Sequence, residues 1–94
     1  MATFETTTSL APQAVLRQAG TFFATRVPAT PAFVEKQSDR HLVLRGQGGE
    51  EIVFAAAPVA GGSAVRGSSL YFDQQVKRFF TTLPRLVAGA TGAA

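Results

Sequence analysis

Two glycine pairs, Gly48-Gly49 and Gly61-Gly62, cut the middle of this chain into stretches too short for helices. His41–Gly46 places Leu42 and Leu44 on one side, and Glu51–Ala57 places Ile52, Phe54 and Ala56 on one side. Ala64–Phe72 follows the second pair. Alternation of this kind between glycine turns is the pattern of half-buried strands. Ala32–Gln37, with Phe33 as its anchor, reads as one more strand, joined through the turn Ser38-Asp39-Arg40. The spacing therefore predicts four consecutive strands between residues 32 and 72.

Turn parity then assigns faces. A two-residue loop at Gly48-Gly49 pairs Leu44 with Val53 and sets Leu42 and Leu44 opposite the face of Ile52 and Phe54. A three-residue loop, Gln47-Gly48-Gly49, pairs Gly46 with Glu50 and gathers all four apolar residues on one face. A slip of one residue exchanges every side chain between faces, so the pattern selects the odd loop. A type I turn followed by a left-handed glycine at Gly49 would make it. The next turn has the same ambiguity; a loop of Ala60-Gly61-Gly62 sets Leu70 opposite Ile52 and Ser68 opposite Phe54. It turns Arg66 toward the covered face beside Ala56. Pro58 marks an edge position or a bulge.

Helical spacing flanks this run. Val15, Leu16, Ala19, Phe22 and Phe23 make one face at a period of 3.6, opened by Pro12 in the first turn with Ser9 near its start. Gly20 weakens this helix and offers a close approach to another backbone. Pro28 and Pro31 end it, and Val27–Ala32 is a connection. Val76, Phe79, Phe80 and Leu83 form a second apolar face behind Asp73, an expected N-cap, with Lys77, Arg78, Thr81 and Thr82 outward. Pro84 kinks or ends that helix, and Leu86 and Val87 continue its spacing. The threonine-rich segment Ala2–Thr8 favours an opening strand.

The expected fold is α+β in the order β-α-β-β-β-β-α, an antiparallel sheet with two helices packed on one face. Residues 1–87 make a single domain and 88–94 a low-complexity tail. Ninety-four residues suit one domain with a thin core. Eight phenylalanines dominate that core. The opposite sheet face carries Val43, Arg45, Val53 and Ala55, with Tyr71 a further member. That set is too apolar for a fully solvated face and calls for a homodimer or a docking partner.

The opening strand, the helix begun at Pro12 and the junction Ser68-Ser69-Leu70-Tyr71-Phe72-Asp73 resemble a shortened helix-grip protein. The family is the START-like, polyketide-cyclase-like superfamily (SRPBCC), which shares its general topology with the TATA-binding-protein-like fold. Val76-Lys77-Arg78-Phe79-Phe80 resembles the closing helix that such proteins lay across the sheet. The resemblance spans residues 2–87. It implies binding of a hydrophobic ligand, or cyclisation or dehydration chemistry, between helix and sheet. Full members are longer, and the strands and small helices that complete their deep cavity have no counterpart here.

The chemical inventory is sparse. Nine basic and six acidic residues give a net charge of +3, but only Lys77–Arg78 forms a basic doublet, which disfavours nucleic-acid binding. The absence of cysteine removes disulfides, thiol nucleophiles and thiolate metal sites, and fits a reducing cytoplasm. No leader-like N-terminus or membrane-length apolar run is present. His41, the single histidine, is expected as a half-exposed strand-end residue. Glu50 and Glu51 are adjacent and so point to opposite faces of a strand, which reads as solvated hairpin charge. Ser68 and Ser69 lack a base. No catalytic residue, metal or cofactor is assigned.

Arg66 stands out, because a guanidinium turned inward among Phe, Leu and Ala requires an anion. Glu5 or Asp73 are candidate internal partners, and an acidic ligand is the functional alternative; the other reading is an outward Arg66 produced by a different turn register, or a structural ion pair. Two classes stay open. One is a noncatalytic binding or homodimeric interaction module using the exposed sheet face. The other is a binder of a small hydrophobic or acidic ligand, or an enzyme, with a helix–sheet groove lined by Phe22, Phe79, Leu70 and Arg66 and the Tyr71 hydroxyl facing the ligand.

Overall fold

The computed structural model describes residues 2–27 and 31–86. Its elements are β1 (Ala2–Thr8), α1 (Pro12–Thr25), β2 (Ala32–Gln37), β3 (His41–Gly46), β4 (Glu51–Val59), β5 (Gly62–Ser69) and α2 (Asp73–Thr82). The order is the expected one, and all four strand pairings are antiparallel in a five-stranded sheet ordered β1-β5-β4-β3-β2. The fold is α+β. The expected tail at 88–94, the extension at Val87 and the stop at Pro28 lie outside the described residues.

The first hairpin follows the parity argument. The Gly46 N–H donates to Glu50 O at 2.8 Å, and Gly49 adopts φ +87°. Leu42 pairs with Phe54 and Leu44 with Ile52, and all four are buried. Glycine pays no Cβ penalty in that left-handed turn.

The second hairpin departs from the expected register by one residue. Val59 pairs with Gly62, so the loop is Ala60-Gly61, with Gly61 at φ +84°. Ile52 therefore opposes Ser69 instead of Leu70, and Phe54 opposes Gly67 instead of Ser68. The slip exchanges every side chain of β5. Ser63, Val65, Gly67 and Ser69 face the helices, and Ala64, Arg66 and Ser68 face away. Glycines 61 and 62 left the loop boundary open to either parity. The buried Val65 shows which one gains more apolar contact. β5 also ends before Leu70, and β4 runs on through Pro58. Since Ala56 N–H donates to Arg40 O at the start of β3, the missing N–H of Pro58 faces the side where β3 has ended.

The core lies between the helices and one sheet face. Val15, Leu16, Ala19, Phe22 and Phe23 of α1 are buried as expected. Phe23 sits 5.7 Å from Phe54 and Phe54 5.4 Å from Phe79, between ring centroids, so the rings continue from one helix across the sheet to the other. Phe33 is the exception. It is 54% exposed, and Ala32 takes the buried place in β2.

Helix ends differ from expectation. Ser9 does not cap α1; its N–H donates to Pro84 O, and Ala11 occupies the N-cap without a side-chain bond. Gly20 admits the Val34 side chain, not a backbone. Asp73 is the first residue of α2, and Phe72 holds the cap position. The Ser69 hydroxyl accepts the Phe72 N–H at 2.7 Å in place of a cap. Helix α2 stops at Thr82, and Arg85 bridges to Thr8 instead of prolonging the helix.

Candidate functional site

The five residues expected to line one helix–sheet groove fall into three separate surface depressions. Phe22 and Phe79 line a groove of about 450 Å³ with Arg17 and Gln18 of α1 and Thr82 of α2. Leu70 and Tyr71 border a hollow of about 410 Å³ beside Gly48–Glu51, at 56% and 72% exposure. Arg66 lines an open trough of about 700 Å³ on the sheet face away from the helices. The space between α1 and the sheet is filled by rings, with Phe22 and Phe23 centroids 5.3 Å apart and Phe22 and Phe79 5.5 Å apart.

Arg66 is thus outward, as the shifted register requires. Its Nη2 lies 3.0 Å and its Nε 3.1 Å from Glu5 Oε2, with both side chains nearly two-thirds exposed. Glu5 was a candidate partner, and it pairs in solvent, where such a bridge stabilises by under about 1 kcal/mol. Tyr71 follows the end of β5 and does not extend the open face.

That face has two unlike ends. At one end Phe33, Arg45 and Glu51 form a row across β2, β3 and β4. Arg45 Nη2 lies 2.8 Å from Glu35 Oε1 and 3.3 Å from Glu51 Oε2, and Arg45 Nη1 donates to Gly49 O at 3.0 Å. The Arg45 hydrogen bond holds the Glu35 carboxyl below the usual glutamate range, and Glu35 in turn raises Arg45. In the next row Val43 and Val53 are half-buried and paired.

At the other end Ala55, Ala57 and Ala64 floor the trough, while Arg66, Glu5, Arg40 and His41 stand around it. Alanine is a poor strand former. Three on adjacent strands leave a depression one side chain deep. The trough was invisible to the sequence because its floor depends on the β4–β5 register. Among the described residues Arg40 forms no ion pair and the His41 ring no hydrogen bond. No group of three His, Asp or Glu residues suited to a metal occurs among the described residues. No helix there is long and apolar enough to cross a membrane.

The arrangement is helix-grip-like. The solution structure of the Aha1 dimer from Colwellia psychrerythraea is similar to this chain, with 12% identity and a TM-score of 0.58. The match covers 87% of this chain and 90% of that one. At this identity the likeness shows the fold alone. No protein-family model and no curated protein sequence matches the chain.

Proposed function

We propose that this protein is a noncatalytic interaction module that forms a homodimer through the open face of its sheet. The observation that carries this reading is the unpartnered apolar surface of that face, where Val43, Val53, Ala55, Ala64 and the exposed Phe33 stand on the side without helices. An antiparallel sheet tolerates one wet face when that face is polar. This one carries valine and alanine at its centre, an exposed phenylalanine on its edge strand, and charge at its ends. The dimer named for the similar solved structure supports the reading. The fold, though not its deep cavity, suits a shortened relative of the START-like superfamily, and the cysteine-free composition suits the cytoplasm.

Sedimentation velocity over a wide concentration range tests the dimer. Val53→Lys, outward on the central strand, raises the dimer Kd about tenfold or more while circular dichroism stays unchanged. A wild-type chain that sediments as a monomer at every concentration would remove the reading.

A further inference from the structure

The two ends of the open face are complementary to each other in shape. The end with Phe33 is a knob, with one large ring 54% exposed on the edge strand, set beside Glu35 and Glu51. These two carboxylates share one guanidinium, Arg45, and Lys36, paired with Val43 one row on, brings the charge at this end into balance. The other end is a hole, the alanine-floored trough of about 700 Å³. Around it stand Arg66, already paired with Glu5, together with Arg40 and His41, so basic groups are in excess there.

Knob and hole occupy opposite corners of the sheet. Phe33 lies on β2 in the row of Arg45 and Glu51, and the trough lies between β4 and β5 two rows further along. Strands spaced about 4.8 Å apart put the two corners roughly 10–15 Å apart across the sheet. They cannot meet within one chain. A twofold axis lying between two stacked sheets along the other diagonal exchanges the corners, and an isologous interface makes every such contact twice.

Resting on the dimer reading above, we propose that the partner on this face is a second copy, with Phe33 of each protomer seated on Ala55, Ala57 and Ala64 of the other. In that arrangement Glu51 faces the partner's Arg66, and Glu35, with Lys36 next to it, faces the partner's Arg40 and His41. Val43 and Val53 stack across the centre. Five strands and about four outward rows give a face on the order of 500 Å², so the pair buries on the order of 1,000 Å². That is the lower range of specific interfaces and makes a reversible dimer, visible at high concentration and dissociated on dilution.

The test is sedimentation velocity on the full chain and its variants, with the fold checked by amide NMR spectra. Phe33→Ala raises the dimer Kd about tenfold or more. R66E and E51R each weaken the dimer, and the double variant R66E/E51R regains most of the loss. Within one chain Glu51 and Arg66 are separated by four residues along β4 and belong to different ion pairs, so this rescue reports contact between copies. All three positions are outward, so the variants keep the monomer fold. A second readout needs no change at these positions. A spin label on Thr7→Cys, the only thiol in the chain, broadens the Phe33 amide of an isotope-labelled partner in a mixed sample. A dimer indifferent to Phe33→Ala, without charge-swap rescue or Phe33 broadening, overturns this geometry and leaves the dimer reading standing. A monomer at all concentrations overturns both.

Discussion

Gly67 shows how tightly single residues are set against the core. An ideal Cβ there would come within 2.8 Å of Phe54 Cε1 and 2.9 Å of Val76 Cγ1. Gly67→Ala therefore destabilises the protein by about 1–3 kcal/mol, through displaced rings and not through backbone dihedrals. Urea unfolding measures it, and an unchanged midpoint would show that the rings yield freely. Glu35 supplies the pH prediction. Its carboxyl sits below the ordinary range because Arg45 donates to it. Its stabilising contribution is full above the unfolded pKa and is lost as pH falls through the lowered folded value. NMR titration of Glu35 in Arg45→Gln should show the midpoint returning upward; an unmoved midpoint would assign the shift elsewhere. At this scale the sequence was a partial guide. The buried helix residues were legible from periodicity. The outward place of Phe33 was not, because β2 is an edge strand with a bulge between Val34 and Lys36.

Elements are joined by a few buried hydroxyls. Thr8 Oγ1 donates to Pro84 O at 2.6 Å and Ser63 Oγ to Leu10 O at 2.6 Å, and all three polar residues Thr8, Ser63 and Ser69 are fully buried. They hold the segment after α2 against β1, the approach to α1 against β5, and the entry to α2. Ser69→Ala leaves the Phe72 N–H without its partner, at a cost of about 1–3 kcal/mol. Thermal unfolding with hydrogen exchange localised to the α2 N-terminus checks it; a loss spread evenly over the sheet would contradict the local role. Strand and helix positions could be read from alternation, glycine pairs and proline placement. The hydroxyl staples could not, since each joins residues distant in sequence except Ser69.

For the molecule as a whole, the phenylalanine cluster and the open face divide the labour. Phe79, 1% exposed, meets Phe22, Phe23, Phe54 and Phe80. Phe79→Ala should cost about 3–5 kcal/mol, a large part of the stability of a domain this size. If denaturant melts show less than about 1 kcal/mol, the helix–sheet space is not a tightly packed core. Dimerisation through the open face on the other side, as proposed, adds a mass-action term. A dimer that dissociates on unfolding makes Tm rise with protein concentration.

The element order, the helical faces and the first hairpin's three-residue loop were determined by the sequence itself, because periodicity and turn chemistry are local. Leu42, Leu44, Ile52 and Phe54 could share a buried face in only one parity. The Gly61-Gly62 turn carried no such constraint. With glycine at both positions, the loop could close after either residue, and only the packed structure chose the two-residue form. That choice placed Val65 in the core and sent Arg66 to the open face. It also made the alanine trough. The sequence pointed to an apolar second face, but the site on it depends on a register that no local signal specifies.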